Sequence, residues 1–182
     1  MPANDDLVER CRSGDRRAFE ELFIKHRDMV FNVVWSISGD REQAEDITQE
    51  TFVKAYLGFS GFRGGSKFST WLYRIAVNQA LRARSTGMRR ARAEQPLDDR
   101  VLPFDGPEPE EALRLSETER SVRRAICELP PAQRAAITLR YLEGLDLAEV
   151  AQIVGSPIGT VKSRIHHALK RMSVALGDLK DV

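Results

Sequence analysis

Cysteine and histidine are scarce in this sequence. Among 182 residues there are two cysteines, Cys11 and Cys127, and three histidines. Two cysteines so far apart, with no Cys-x-x-Cys pair, are too few for a disulfide framework or a cysteine zinc site. A disulfide is also unusual in a reducing cytosol. We therefore expect two free thiols and no metal site.

Long apolar runs are missing as well. No stretch approaches the roughly 20 apolar residues that span a bilayer. The start of the chain, Met-Pro-Ala-Asn-Asp-Asp, lacks the basic residues and apolar core of a secretory signal. We expect a cytoplasmic protein with no direct membrane insertion.

Strand signals are almost absent. Strict alternation of apolar and polar residues does not occur, whereas apolar residues recur with a period near 3.6. Hydrophobic residues make up 42% of the chain and charged residues 30%, enough to bury one medium core or two small ones. The predicted fold class is all-α, with two small helical domains joined by a flexible acidic linker and a helix-turn-helix in the second domain.

The net charge of +1 hides an uneven distribution. Residues 82–92 carry five arginines and no acid, and residues 160–172 carry four cationic residues and no acid. Between them, residues 94–119 are strongly acidic. Two basic patches separated by an acidic segment favour a polyanion that is contacted at two places.

Turn residues and caps divide the chain. Helices are predicted over residues 5–12, 15–38, 42–57 and 67–84, and a glycine-rich loop over 58–66 is either mobile or tightly turned. Prolines and acids then break the periodicity, which indicates a linker with little structure of its own. Further helices precede Pro130-Pro131, cover 132–141 and form a final pair. The predicted domain boundaries are 1–88, a linker over 89–112, and 113–182.

The helix over 67–84 carries an unusual polar stripe. Thr70, Arg74, Asn78 and Arg82 follow one another on successive turns, with Trp71 among them. Unpaired bases stack on aromatic rings while cations hold the phosphates, so the stripe points to opened DNA. The alternative is that Trp71 is a partly exposed core residue. The adjacent loop, with Arg63, Ser66 and Lys67, is a candidate pocket for a flipped base.

Residues 145–161 read as a helix-turn-helix. Asp146 and Glu149 have capping-box spacing, Gly155 suits a positive φ at the end of the first helix, and Ser156-Pro157 suits the start of the second. The second helix is predicted to bury Val161, Ile165, Leu169 and Met172. Its opposite face is basic and fits a major groove, although a charged, solvated face is the alternative.

The helix over 42–57 has an apolar side and an acidic side. The residues predicted to face inward are Ala44, Ile47, Thr51, Phe52 and Ala55. The outer side is acidic but interrupted by Val53 and Leu57, which suggests a protein partner rather than DNA. A plain solvated helix face is the other interpretation.

Several segments, taken in order, resemble the extracytoplasmic-function (ECF) group of bacterial sigma factors. They are Gly14-Asp15-Arg16-Arg17-Ala18-Phe19-Glu20-Glu21-Leu22, Ala44-Glu45-Asp46-Ile47-Thr48-Gln49-Glu50-Thr51-Phe52-Val53-Lys54-Ala55-Tyr56, Phe68-Ser69-Thr70-Trp71-Leu72-Tyr73-Arg74-Ile75-Ala76-Val77-Asn78, Leu129-Pro130-Pro131-Ala132-Gln133-Arg134 and Gly159-Thr160-Val161-Lys162-Ser163-Arg164. The resemblance implies a sigma region 2-like first domain and a region 4-like second domain. It also implies three partners: core RNA polymerase, promoter DNA and an anti-sigma factor that is membrane-associated or soluble.

The resemblance and the residues together give three candidate sites. The −10 and melting site comprises Arg63, Lys67, Phe68, Ser69, Trp71, Arg74, Asn78 and Arg82. The −35 site comprises Thr160, Lys162, Ser163, Arg164, His166, His167 and Lys170. The polymerase-binding site comprises Asp46, Gln49, Glu50, Val53 and Leu57.

Two positions depart from the family pattern, and the linker leaves a choice open. His167 stands where the family commonly has arginine, and His26 stands where it often has an aromatic residue. The first departure leaves the base preference open. The linker acids Asp105, Glu108, Glu110 and Glu111 fit either a nucleic-acid mimic in the enzyme's RNA path or a segment that is acidic for solubility.

Two other function classes would use some of these residues. A stand-alone operator-binding regulator would use the same helix-turn-helix, but it leaves the 67–84 stripe and the acidic helix unexplained. A metal-dependent nuclease would need His166 and His167, yet adjacent histidines point in different directions on a helix and no carboxylate cluster accompanies them. The sequence therefore predicts no catalytic residue, no metal and no cofactor.

Overall fold

The computed structural model describes residues 3–94 and 117–177. Within those ranges the chain is α-helical and contains no strand. Eight α-helices follow one another: α1 Ala3–Arg12, α2 Arg16–Ser38, α3 Arg41–Gly58, α4 Phe68–Glu94, α5 Glu117–Cys127, α6 Pro131–Ile137, α7 Leu147–Val154 and α8 Ile158–Gly177. The all-α prediction with a helix-turn-helix in the second unit is confirmed, and no described helix is long and apolar enough to cross a membrane.

Polar caps set the limits of α2 and α3 where the sequence predicts them. The Asp15 carboxylate accepts from the backbone N–H of Arg17 at 2.9 Å and of Ala18 at 3.3 Å, satisfying donors that the first helical turn leaves free. Gly39 ends α2 with φ +78°, and its N–H donates to the Trp35 carbonyl at 2.8 Å. Asp40 then caps α3 through the Gln43 N–H. Helix limits here follow from local chemistry.

The first unit is built from α1 to α4 around one apolar core. The predicted inward residues of α3 are all buried, and so are Leu22, Val30, Val33 and Val34 of α2. Phe19, Phe23 and Met29, also predicted to face inward, are only partly buried and pack at the margin of the core. Helical periodicity therefore predicted the buried face of α2 and α3 correctly, except for the residues at the margin of that face on α2.

Helix α4 is longer than predicted. It continues past Arg84 through Ser85, Thr86 and Gly87 and ends at Glu94. These three residues are weak helix formers, which is why the sequence suggested an earlier end. The linker predicted over 89–112 therefore begins in helix, and its remaining part from residue 95, with the four acids weighed as a nucleic-acid mimic, lies outside the described residues.

The second unit comprises α5 to α8. Val122 and Ile126 form the predicted apolar side of α5 and Leu129 follows just after its end; Ile126 and Leu129 are buried and Val122 is partly buried, whereas Leu115 lies outside the described residues. Helix α6 runs directly into a π-helical turn over Thr138–Leu142, so the predicted 132–141 helix exists but its last turn is wider. The helix-turn-helix of α7 and α8 follows after Gly144, which has φ +67°.

The two units pack against each other. Helix α4 lies against α7, and α2 lies against α6 and α5. Buried residues of both units belong to one continuous apolar cluster. This packing brings the helix predicted to contact opened DNA against the first helix of the duplex-reading unit.

Candidate nucleic-acid and polymerase interfaces

The predicted −10 surface lies on the first half of α4 and the preceding loop. Five of its residues are exposed there: Arg63, Lys67, Arg74, Asn78 and Arg82. Ser69 and Trp71 are partly exposed. Arg74, Asn78 and Arg82 follow one another on successive turns along one side of α4, as their spacing predicts, whereas Arg63 and Lys67 lie in the preceding loop.

Two residues of this region face the core instead. Thr70, the first member of the predicted stripe, is 4% exposed, and so is Phe68. The Phe68 ring packs against the rings of His26 and Trp71. The polar stripe is therefore one turn shorter than predicted, and Phe68 lies in the core beneath the surface rather than on it.

Trp71 is held within a cluster of aromatic rings. Its ring centroid lies 5.1 Å from that of Phe62, 5.8 Å from that of Phe68 and 6.2 Å from that of Phe59. The indole also lies close to the backbone of Gly58, where an added Cβ would be 3.8 Å from Cζ2. Trp71 remains partly exposed, so it combines a fixed position with an accessible edge.

The glycine-rich loop is tightly turned. A short 3-10 turn over Phe59–Gly61 opens it, and Gly64 adopts φ +74°. Arg12 of α1 anchors the loop: its Nη2 donates to the Phe62 carbonyl at 2.9 Å, and its guanidinium lies over the Phe62 ring. Sequence reasoning missed Arg12, because 50 residues separate it from its partner and no local pattern relates the two.

Lys67 has a partner in the second unit. Its Nζ lies 2.9 Å from Oε1 of Glu149 on α7. The hydrogen bond and the charge of Glu149 raise the pKa of Lys67, so the side chain is cationic at physiological pH. A residue predicted to contact DNA is thus engaged by an acid of the helix-turn-helix.

The helix-turn-helix forms as its caps predict. The Asp146 carboxylate accepts from the N–H of Ala148 and of Glu149, each at 2.8 Å, and Glu149 accepts from the Asp146 N–H at 3.2 Å. This reciprocal pair is a capping box. Gly155 ends α7 with φ +61°, a conformation that glycine adopts without steric cost.

Two details of the second helix differ from prediction. Ser156 does not donate or accept at the first turn of α8; instead its Oγ accepts from Arg164 Nη1 at 3.0 Å, and the Pro157 carbonyl accepts the first helical bond, from Val161. Leu169 is 43% exposed, whereas Ala168 is fully buried. The helix is therefore rotated slightly from the predicted packing, with Val161, Ile165 and Ala168 facing the core.

The predicted −35 residues lie on the exposed side of α8. Six of them are exposed: Thr160, Lys162, Ser163, His166, His167 and Lys170. Arg164 is partly buried, and its guanidinium donates to the Ser156 hydroxyl. The two histidine rings are 5.7 Å apart at 69°, and in the described ranges no group of three His, Cys, Asp or Glu side chains is placed to hold a metal ion.

The predicted polymerase-binding residues share the exposed face of α3. Asp46, Gln49 and Glu50 supply the polar part, while Val53 and Leu57 are 56% and 75% exposed. Beside them runs a shallow apolar groove lined by Phe19, Phe23, Gln49, Phe52, Val53, Tyr56 and Leu57. Tyr56, which lines the groove, is itself exposed, and sequence reasoning did not assign it.

A polar chain ties this face to α4. Lys54 Nζ pairs with Glu50 Oε1 at 2.7 Å and donates to Gln79 Oε1 at 2.6 Å. Gln79 is buried and donates to Thr51 Oγ1 at 2.9 Å. The helix with the acidic face and the helix with the basic stripe are thus joined through the buried Gln79, which contacts the exposed Lys54 and the buried Thr51.

Comparison with known proteins places the two units in known families. The family model described as Sigma-70 region 2 matches residues 22–90, and that described as Sigma-70, region 4 matches residues 119–172. The sequence is 38% identical to the RNA polymerase sigma-H factor of Pseudomonas aeruginosa, covering 97% of this chain and 95% of that protein. This chain is an ECF sigma factor.

Other relatives agree with the assignment. The ECF sigma factor SigW of Bacillus subtilis is 32% identical over 94% of this chain and 96% of its own length. The ECF sigma-E factor of Escherichia coli is 40% identical over 89% of this chain and 88% of its own. Sigma factors are transcription initiation factors and not enzymes, so the nuclease hypothesis is wrong and the stand-alone regulator is not favoured.

Solved structures share the fold of this sigma factor. The sigma factor RpoE of Bartonella quintana, solved with the anti-sigma factor NepR, has a TM-score of 0.72 at 24% identity and covers 87% of this chain and 96% of its own. CnrH, solved with the cytosolic domain of CnrY, has a TM-score of 0.71 at 23% identity and covers 97% and 98%.

Proposed function

We propose that this ECF sigma factor binds core RNA polymerase in the cytoplasm, directs it to promoters through −10 and −35 elements, and promotes DNA melting. The observation that carries the proposal is the presence of both sigma-70 regions in one chain, each with a basic exposed helix. The first domain over 1–88 and the second over 113–182 then divide the promoter between them.

One of the two DNA contacts in this proposal is the capture of an unpaired base at α4. Trp71 is fixed by three aromatic rings, so little side-chain entropy is lost when a base stacks on it. Arg63, Arg74 and Arg82 supply cations for the phosphates, and Asn78 supplies an amide. Base stacking is worth about 1–3 kcal/mol per base, which is comparable with the cost of unstacking a base step. A few such contacts keep a short bubble open without ATP.

The other DNA contact is the reading of intact duplex by α8. The exposed Lys162, His166 and Lys170 project from one side of a helix whose N-terminal end is free to enter a major groove. Phosphate contacts fix the register, and one good bidentate base contact adds about 1–3 kcal/mol of discrimination. The hydrogen bond from Arg164 to Ser156 holds the two helices of the motif in a fixed relation.

Polymerase binding is assigned to α3. Exposed Val53 and Leu57 beside an apolar groove supply the area that excludes water, and the acids around them supply specificity. We also propose an anti-sigma factor as the regulatory partner, as in the Bartonella quintana sigma factor solved with NepR. Co-purification of this chain with the product of the adjacent gene is the direct way to test that partner.

Transcription in vitro tests the proposed function. Purified protein is added to core RNA polymerase and host genomic DNA, and the RNA products are sequenced. We expect defined start sites that neither component produces alone. Initiation from no site in the host genome would refute the proposal, and tight promoter binding by the protein without polymerase at physiological salt would favour an operator-binding regulator instead.

A further inference from the structure

Arg12 is the last residue of α1, and its side chain leaves that helix to contact the glycine-rich loop. Leu7 and Val8 bury one side of α1 in the apolar core, so the core holds the helix in place beside the loop. The Arg12 side chain is 33% exposed. Most of this cation is therefore covered by protein, although it lies at the end of a surface helix.

The guanidinium contacts the loop at two places. Its Nη2 donates to the Phe62 carbonyl at 2.9 Å, and its Cζ lies over the Phe62 ring, 5.7 Å from the centroid. Gly64 approaches the same nitrogen so closely that a Cβ added there would be 3.0 Å from Nη2. Nη1 donates to the Glu9 carboxylate on α1 at 3.1 Å, which orients the group. One side chain thus contacts both Phe62 and the turn at Gly64.

The rest of the loop has little to order it. Among the described residues, Arg63, Gly64, Gly65 and Ser66 make no hydrogen bond, and a Cβ added at Gly65 would meet nothing within 4 Å. Glycine loses more conformational freedom on ordering than any other residue. Without the Arg12 contacts, this part of the loop would be free to adopt other arrangements.

The same contacts extend to the surface proposed to capture a base. Phe62 is buried, and its ring contacts both the Arg12 guanidinium and the Trp71 indole, whose centroid is 5.1 Å away. Arg63 and Lys67, two cations assigned to −10 DNA, lie in the loop and are exposed. A displaced loop would therefore move a packing partner of Trp71 together with two of the cations.

Arg12 differs from the arginines assigned to phosphates. Its charge is paired with Glu9, and its Nη2 is occupied by a backbone carbonyl. Arg74, by contrast, is exposed and forms no ion pair within the described ranges. The contacts of Arg12 are therefore those of a residue that orders the protein, whereas Arg74 is available to a phosphate.

We propose that Arg12 is a positioning residue of the −10 site, which holds the glycine-rich loop in the arrangement that receives an unpaired base and does not contact DNA itself. A loop that is already ordered binds more tightly, because no ordering is required when the base arrives. The effect on base capture rests on the proposed function, whereas the ordering of the loop in the free chain does not.

NMR on the free chain tests the ordering. Backbone ¹⁵N order parameters of Phe62 and Gly64 are measured in the parent, in Arg12→Ala and in Arg12→Lys. We expect values of about 0.85 in the parent and below about 0.6 in Arg12→Ala. Lysine keeps the charge but lacks the planar fork that donates to a carbonyl while stacking on a ring. Arg12→Lys should therefore give intermediate values.

Base capture is measured on holoenzyme assembled from core RNA polymerase and the full chain. The probe is a promoter fragment found by transcription in vitro, with its −10 segment unpaired by mismatches and one base at a time replaced by an abasic site. In the parent, we expect an abasic site at the captured position to weaken binding about tenfold, because base stacking is lost. In Arg12→Ala, the intact probe should bind about fivefold more weakly, and the same abasic site should cost only about twofold more.

Arg16→Ala is the matched control. Arg16 is an exposed arginine at the start of α2, so this variant loses the same charge as Arg12→Ala. It should behave as the parent in both measurements. A salt series separates positioning from phosphate binding, because a lost phosphate contact reduces the salt slope of log K by about one. We expect the slope to be the same in Arg12→Ala and in the parent.

Four outcomes would overturn the proposal. Unchanged order parameters in Arg12→Ala would show that Arg12 does not hold the loop. A disordered loop with the parent's abasic profile would show that loop order does not govern base capture. A reduced salt slope in Arg12→Ala, with binding restored in Arg12→Lys, would make Arg12 a phosphate contact. Failure of the parent to form holoenzyme would refute the proposed function and base capture with it, while the order parameters of the free chain would still decide whether Arg12 orders the loop.

Discussion

Trp71 and Arg74 lie close together on α4 but differ in their burial. Trp71 packs on Phe59, Phe62 and Phe68 and is only partly exposed. Arg74 is exposed on the next turn. Substitution of Trp71 therefore affects both the stability of the core and the proposed DNA surface, whereas substitution of Arg74 affects only the surface.

Replacing each residue with alanine should distinguish the two duties. Trp71→Ala is expected to cost about 2–4 kcal/mol of unfolding free energy, because it leaves a cavity among the rings, and to impair promoter opening. Arg74→Ala should leave stability within about 0.5 kcal/mol and impair opening alone. Permanganate reactivity of bubble thymines and thermal unfolding measure the two effects. Normal thymine reactivity in both variants would remove this surface from the melting site.

His26 is a second residue with a testable consequence. It is 5% exposed, packs against the Phe68 ring, and its buried Nε2 has no hydrogen-bond partner in the described part of the chain. Burial, together with the nearby charge of Lys25, lowers its pKa below the usual 6.5. The folded state therefore binds a proton less readily than the unfolded state, and stability is lost as the pH falls below about 6.5.

His26→Phe should remove part of this pH dependence. Phenylalanine fills the site without a buried unpaired nitrogen, so we expect the unfolding free energy at pH 7 to rise by about 1 kcal/mol, with a larger gain at pH 5.5. Urea unfolding at the two pH values gives the comparison. The exposed His167, replaced with glutamine, is the control. An unchanged drop in stability between pH 7 and pH 5.5 would contradict the assignment.

At the scale of helices, the sequence predicted most of the fold because caps and apolar periods are local signals. Asp15, Asp40, Asp146 and Gly155 all act where their types predict. The prediction that Leu169 is buried was wrong because a small rotation of α8 buries Ala168 in its place, and apolar periodicity does not resolve so small a rotation. The extent of α4 was missed because Ser85, Thr86 and Gly87 are poor helix formers that the surrounding helix nevertheless includes.

Helix α8 leads to a prediction about how promoter binding depends on salt concentration. Lys162 is exposed on α8, and as a phosphate contact it releases about one counterion when the promoter is bound. Lys162→Ala should weaken holoenzyme binding to all promoters to a similar degree and reduce the salt slope of log K by about one. Filter binding at several salt concentrations measures this. Lys25→Ala on α2 is the matched control, and loss of core polymerase binding in Lys162→Ala would assign the helix to polymerase instead.

At the scale of the whole molecule, no sequence pattern indicates how the two units meet. Lys67 and Glu149 are 82 positions apart, and each has a sufficient local explanation, one as a DNA contact and the other as part of a capping box. Contacts of this kind follow only from the packing of α4 against α7. They join the two units, although each unit has its own family match.

Cooperativity of unfolding is the property that this coupling should control. Because the contact between the two units buries Arg134 and Tyr73 and joins the cores of both units, neither unit unfolds without breaking contacts of the other. We expect a single calorimetric transition for the free parent chain, with calorimetric and van't Hoff enthalpies in agreement. Tyr73→Phe removes the hydrogen bond from the Tyr73 hydroxyl to Glu143, and Glu149→Gln removes the ion pair with Lys67. The double variant should weaken the coupling and resolve two transitions.

The assignment of those transitions follows from the first unit's own core. His26→Phe, placed in the double variant, should raise the midpoint of one transition and leave the other unchanged, since residues in separate units no longer share partners. In the parent background the same substitution should move the single transition as a whole. Two transitions in the parent chain itself would mean that the contact between the two units contributes too little free energy to unite them.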